Sequence, residues 1–326
     1  MVLTPSSPAV TLARSSRRGW GTFATLALAW LALVVATSLH RPDFLSHQTV
    51  LAVAFTMSIV GVLAIGQGIV AMSGGFLDLS QPSCVILASL VTVRLAEAGV
   101  PLALLFVAAV LAGMAWGAVN ATIIVFAKLN PIIVTLATNF IGLAVLFLVF
   151  QLAQVPQGSG VHALGRSVVL GLPAIWWPMA VLVLVTGWLL PRTRYGRRMI
   201  AVGGNRFAAQ VRGISLRKTR YATFMAAGGF VGFGAVLFAA SVGPFDPGAA
   251  NTLLLNVIAA VILAGISLAG GRGNLWGLFL SVGFLSTIPT SLVFFGFSSD
   301  RQTILQGMIL VIAVAIDGYR ARRYAR

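Results

Sequence analysis

Apolar runs of about twenty residues recur from one end of this chain to the other, each closed by a short break of polar residues, Gly or Pro. They lie at 20–39, 49–71, 77–95, 101–126, 131–151, 173–190, 220–242, 253–268, 274–296 and 303–317. That length is what a helix needs to cross a hydrocarbon core roughly 30 Å thick. In such a core the backbone must satisfy its own hydrogen bonds, and a helix does so within one segment. The pattern therefore predicts an all-α integral membrane protein of about ten transmembrane helices. The first run has a basic flank like that of a signal peptide, but it is too long for the usual apolar region of one, and it reads as a retained helix.

Composition agrees with the pattern. Of 326 residues, 59% are hydrophobic and only 9% charged, and the mean hydropathy is +0.99. A soluble domain carries about a quarter charged residues, so lipid solvates much of this surface and no separate soluble domain fits between the runs. The net charge of +16 would suit nucleic acid, but its placement argues for topology and against that partner. With the N-terminus (Arg14, Arg17, Arg18) in the cytoplasm, all the Lys and Arg residues except Arg41, Arg94, Arg166 and Arg301 fall on the cytoplasmic side, as the positive-inside rule requires. An even number of spans brings Arg320, Arg322, Arg323 and Arg326 back to the same side. The chain then divides into a cytoplasmic tail (1–19), a transmembrane domain (20–317) and a second cytoplasmic tail (318–326). The basic excess also suits contact with anionic membrane lipid.

One loop is long. Residues 191–219 carry Arg192, Arg194, Arg197, Arg198, Arg206, Arg212, Arg217 and Lys218, and a long ordered loop tends to carry function or bind a partner. Within it Gly203-Gly204-Asn205 predicts a turn, Asn205 a cap for a short helix over 206–212, and Gly213 its end. A merely solvated loop is the plain alternative. On the other side, 152–172 is nearly uncharged, and 243–252 contains Pro244, Asp246 and Pro247, which favour a fixed turn. Two glycine-rich interruptions, 73–80 and 267–273, sit at membrane depth in corresponding places of the two halves. Broken helices of that kind line a cavity or pack within protein, while small residues also serve close helix packing.

Reactive chemistry is sparse. Of the six acidic residues only Asp78 lies at membrane depth, where an ionisable group suggests function and where capping the next helix is an equally compatible role. His40, His47 and His162 fall in loops, so a buried proton relay is not in view. Cys84 is the single cysteine, without metal-ligand spacing, and reads as a small helix residue. No phosphate-binding Gly-x-x-x-x-Gly-Lys-Ser/Thr run occurs, so any ATP and Mg must be bound by another chain. Nor is there a nucleophile–base arrangement or a metal cluster, and the sequence does not read as an enzyme.

From about residue 44 onward the chain resembles the membrane permease subunits of bacterial ABC importers for ribose and related monosaccharides, a family that also takes in autoinducer-2 permeases. The resemblance rests on Arg194-Tyr195-Gly196-Arg197, Ala201-Val202-Gly203-Gly204-Asn205, Ala208-Ala209 and Gly213-Ile214. It also rests on 264–273, similar to GG-T-S-L-x-GG-x-G, and on Asn130-Pro131 with Thr135-Leu136-Ala137-Thr138, similar to N-P-x-x-x-T-L-G-T.

The resemblance implies a subunit of the bacterial inner membrane that forms the pathway for a small neutral solute. A periplasmic binding protein would deliver the solute, and a separate ATPase would drive its passage. It implies that Gly203, Gly204, Asn205, Ala208, Ala209, Gly213 and Ile214 dock on that ATPase. It also implies a second permease chain, in a homodimer or heterodimer. Asp78, Ser80, Gln81, Asn139 and Asn256 are the candidate groups along the path; interhelical hydrogen bonding is their alternative role. The sequence departs from the family around Asp78, with one residue more before it and Gln81-Pro82 in place of Val-Gly. Asn256 stands in place of an acidic residue and Ala137 in place of a glycine. These changes suit a chain that pairs with a different permease. A carrier or channel that needs no ATPase is the competing reading, and a membrane scaffold that moves nothing is a third.

Overall fold

The computed structural model describes residues 8–74, 77–149, 155–241 and 247–298 and a few positions from 301 to 311, with side chains from residue 23 onward. Its helices are α1 (Pro8–His40), α2 (His47–Gly74), α3 (Gln81–Glu97), α4 (Leu102–Phe126), α5 (Pro131–Val149), α6 (Gly160–Arg166), α7 (Trp176–Leu189), α8 (Arg194–Gly204), α9 (Arg206–Val211), α10 (Leu216–Ser241), α11 (Pro247–Leu263) and α12 (Gly277–Phe294). The described strands are β1 (Val168–Val169) and β2 (Leu172–Pro173), a small antiparallel hairpin. Nine of the predicted runs coincide with α1, α2, α3, α4, α5, α7, α10, α11 and α12. The tenth, 303–317, falls largely outside the described residues.

Six of these helices hold an apolar stretch long enough to cross a membrane: α1, α2, α4, α5, α10 and α12. The shorter α3, α7 and α11 have 17, 14 and 17 residues. The outer faces of α4 and α5 expose Leu104, Val107, Leu111, Phe140, Ile141 and Leu148. Apolar surface on this scale is a liability in water and natural in lipid. The molecule is a multi-pass membrane protein of the all-α class, with one small hairpin among the described residues.

The structure departs from the sequence pattern at several places. The run at 77–95 becomes helical only at Gln81, because the Asp78 carboxylate accepts from the backbone N–H of Ser80 at 2.9 Å and holds 77–80 in a turn. The run at 253–268 ends at Leu263. Gly265 adopts φ +80, and its N–H and that of Ile266 bond back to Ile262 O and Val261 O, a Schellman ending that needs a residue in the left-handed region. The loop expected to contain one helix contains two. Gly203 and Gly204 do not form a turn; they close α8, and the chain kinks only at Asn205. The uncharged loop at 152–172 is likewise structured, as α6 and the hairpin.

The core is built around α2 and α10. α2 is buried almost continuously from Met57 to Met72, so it carries no polar face. α10 packs most extensively on α4, then on α2 and α3. Two Gly-x-x-x-Gly pairs make the α4–α10 crossing: Gly113 and Gly117 face Gly228 and Phe224, while Gly228 and Gly232 face Gly113 and Ala109, so closely that any Cβ would meet a backbone carbonyl. Without a hydrophobic drive between helices in lipid, this close backbone approach is what holds them. At one end of α10, Gly165 of α6 abuts the Ala240 carbonyl. At the other, α8 and α9 lie against the start of α10 and the end of α2.

Candidate functional site

Two polar places stand out, and a few residues of α2 join them. The first is the α8–α9 loop. Thr193 caps α8, its hydroxyl accepting from Gly196 N–H at 3.0 Å, and Tyr195, Met199 and Val202 turn inward at helical spacing. Met199 is fully buried, and Tyr195 Oη meets Thr223 Oγ1 of α10 at 3.3 Å. Burial of Tyr195 raises its pKa from 10 to about 12, and the Thr223 hydrogen bond opposes this. The raised value means this ring stabilises its seat fully below pH 10 and ceases to do so as pH climbs through about 12.

Gly203 closes α8 against two backbones. A Cβ there would drive into Met72 O and come within 2.6 Å of Gly271 N. Gly271, at φ +70, donates its N–H to the same Met72 carbonyl at 2.9 Å. Gly204 has room, with its nearest neighbour, Gly271 Cα, at 3.9 Å from a built Cβ. Arg206 Nη2 donates to Gly74 O at 3.0 Å. The loop therefore grips both glycine-rich interruptions, one through Met72 and Gly74 and the other through Gly271.

Asn205 ends α8 and begins α9, its Oδ1 accepting from Ala208 N–H at 2.9 Å. Gly213, at φ +76, finishes α9, with Ile214 N–H bonding to Ala209 O at 3.0 Å. Of the residues singled out from the sequence, Gly203 and Ala209 face the chain itself, while Gly204, Asn205, Ala208 and Gly213 are exposed and Ile214 is half-buried. Sequence reasoning missed Phe207 and Val211, which stand 77% and 73% exposed on α9. Two bare apolar side chains among arginines on a six-residue helix are the signal that was available.

The second place is a buried polar seam at the α2–α3 break. Thr138 of α5 donates to Asn120 Oδ1 at 2.7 Å, and Asn120 of α4 donates to Ser80 Oγ at 2.7 Å. Ser80 in turn donates to the Asp78 carboxylate at 2.6 Å. Beside them Thr135 Oγ1 accepts from Leu79 N–H, and Asn139 Oδ1 from Ser83 N–H. The Gln67 amide of α2, oriented with its oxygen toward Asp78 N–H (3.2 Å), donates back to Asp78 O (3.3 Å). Backbone groups freed by the break thus find partners at membrane depth.

Four of the five pathway candidates, Asp78, Ser80, Gln81 and Asn139, come together here, each no more than 5% exposed. Asn256 lies half-buried on α11 and joins none of these bonds. Gln67, Asn120, Thr135 and Thr138 complete the seam, and the first two were legible only as lone polar residues in apolar runs. The Gln67 amide so oriented also lies 3.1 Å from the Gln81 amide, while Trp116 Nε1 is buried without a hydrogen-bond partner; Trp116 and Ser83 both crowd Gly142. Among the described residues no three His, Cys, Asp or Glu side chains come together to hold a metal.

Comparison with known proteins bears on both places. The chain is similar to the ribose import permease protein RbsC of Bacillus subtilis, 30% identical over 293 residues that cover 89% of this chain and 91% of that one. It is similar to the L-arabinose ABC transporter permease protein AraH of Azospirillum brasilense, 30% identical over 97% of this chain and 95% of the other. A third relative is the autoinducer 2 import system permease protein LsrC of Salmonella paratyphi B, 30% identical over 93% and 90%. No solved structure matches the chain significantly. Residues 49–314, which contain both the loop and the seam, match one family as a unit, and on that span the chain belongs to the family of branched-chain amino acid transport system permease components.

Proposed function

We propose that this chain is the transmembrane permease subunit of an ATP-binding-cassette importer in a bacterial inner membrane, carrying a small neutral solute, first of all a monosaccharide. The observation that carries the reading is near full-length similarity to import permeases, two of them named for pentoses. The seam adds support on cargo: apart from Asp78 its side chains, Ser80, Asn120, Thr138 and Asn139, are uncharged hydrogen-bonding groups, which suit a hydroxylated solute. The chain is a transport subunit and not an enzyme. A partner ATPase binds ATP and Mg, and a binding protein brings the solute to the side opposite α8 and α9.

In this reading both termini and the α8–α9 loop face the cytoplasm. Phe207 and Val211 enter a cleft of the ATPase, and Arg206 and Arg212 pair with acidic groups at its rim. Asn205 and Gly213 fix the two ends of α9; Ala208 leaves its outer face slim, and Ile214 ties its end down. Gly203 lets α8 seat on backbone, Ala209 turns inward beneath α9, and Gly204 leaves the adjoining surface open. Movement of α9 pulls on Gly74 through Arg206 and on Met72 and Gly271 through Gly203. Gly74 lies four residues before Asp78, so the same movement strains the seam formed by Asp78, Ser80, Gln81 and Asn139 and opens the path there, with Asn256 on its far wall. A second permease chain completes the path; Gln81-Pro82 at this point favours a different partner permease over a second copy.

The test is a mild-detergent pull-down from the native membrane, comparing the chain with its Phe207→Ser/Val211→Ser variant. We expect an ABC ATPase with the unaltered chain and at least a tenfold loss with the variant, while both run as single peaks in size exclusion. A well-folded chain that retains no ATPase in any nucleotide state would overturn the reading and point to ion-driven transport.

A further inference from the structure

At the end of the molecule opposite α8 and α9, β1 and β2 pair Val168 with Pro173 and Val169 with Leu172. Leu170 and Gly171 form the two-residue turn, with φ +50 and +78. Positive φ at both positions belongs to the tight hairpin turn that Asn-Gly or Asp-Gly makes most easily. For leucine, the left-handed region brings Cβ against its own backbone. The Leu170 side chain is also 84% exposed, with Val168 and Val169 at 47% each. Three adjacent exposed apolar side chains are unfavourable in water, and a leucine in the left-handed region persists only where its surroundings hold it there.

The neighbourhood identifies those surroundings. No charged residue occurs between Arg166 and Arg192. Trp176 and Trp177 follow the hairpin at the start of the apolar α7, and Trp177 Nε1 donates to Val169 O at 3.1 Å. Indole rings with one apolar and one hydrogen-bonding edge settle at the headgroup level of a bilayer. The hairpin is thus tied to a residue of interfacial character, beside a membrane-spanning segment. Arg166, exposed and just before β1, is placed to meet lipid phosphate. A soluble protein partner is disfavoured because the tip offers neither charge nor polar side chains for the rim such contacts carry.

We propose that this hairpin is an interfacial anchor: Leu170, with Val168 and Val169, is immersed at the headgroup–acyl boundary of the leaflet on this side. Through α6, whose Gly165 seats on Ala240, the anchor fixes the depth at which α10 ends. The partner is a lipid surface, and the inference stands whatever solute the chain carries.

The sole cysteine, Cys84, is buried, so a Cys84→Ala background accepts single labels cleanly. Bimane would be attached in proteoliposomes at Leu170→Cys, and at Gln157→Cys as the exposed loop control. We expect lipids brominated near the headgroup to quench position 170 at least threefold more than position 157, and aqueous iodide to show the reverse order. In a Leu170→Asn variant, which keeps the turn without the apolar side chain, a label at Val169→Cys should lose at least half its lipid quenching while thermal unfolding in detergent is unchanged. Iodide quenching at 170 equal to that at 157, without an effect of brominated lipid, would put the tip in water and overturn the proposal. Protection from both quenchers would mean protein covers the tip, and would overturn it equally.

Discussion

Asn120 shows how much one side chain decides in the seam. Its amide accepts from Thr138 and donates to Ser80, so it links α4 to α5 and to the α2–α3 break at once. Removing it leaves polar partners buried in a medium with no water to replace it, and a buried group stranded this way costs about 1–3 kcal/mol. Asn120→Ala should therefore lower stability by about that amount, read as a drop in the thermal unfolding midpoint in detergent. Thr138→Val, which removes only the outermost member, should cost less. The sequence offered Asn120 and Gln67 as isolated polar residues and named no partner for either, because hydrogen-bond partners across helices depend on rotation and depth. Asn205 was legible as a cap, since its bond to Ala208 lies three residues away on the same chain.

α8 and α9 carry the argument at the scale of elements. Alanine normally stabilises a helix over glycine by about 1 kcal/mol, so a glycine pair closing α8 calls for a reason. At Gly203 the reason is steric, since Met72 O and Gly271 N occupy the space of any side chain; at Gly204 that space is free. In the assembled importer, Gly203→Ala should reduce solute-stimulated ATP hydrolysis at least tenfold while the ATPase still co-purifies. Gly204→Ala should stay within about twofold. Equal effects would remove the Gly203 contact as the point of transmission. The Gly-Gly pair reads as a turn from sequence, which hid α8. Its actual signals were the Thr193 cap and the i, i+4, i+7 spacing of Tyr195, Met199 and Val202.

For the molecule as a whole, the α4–α10 crossing holds the helices in one arrangement. Gly228 and Gly113 each abut the other's carbonyl, and there is no flexible side chain between them to yield. Gly228→Val should push the two helices apart and leave little monodisperse protein after detergent extraction, where Gly229→Ala, facing the adaptable Met114 side chain, should be tolerated. Recovery of Gly228→Val at unaltered yield would contradict the crossing. By itself the sequence determined the membrane class, the positions of the long apolar helices and the basic loop, because hydrophobic run length and caps act locally and against the bilayer. It carried the family as well, through motifs that survive as strings of residues. Only the tertiary structure decided that Gly203 grips Met72 and Gly271, that Asn120 bridges to Ser80, and that Leu170 stands bare on a strained turn. Each of these depends on which distant backbones meet and on how far each side chain lies from neighbours that periodicity along the chain does not encode.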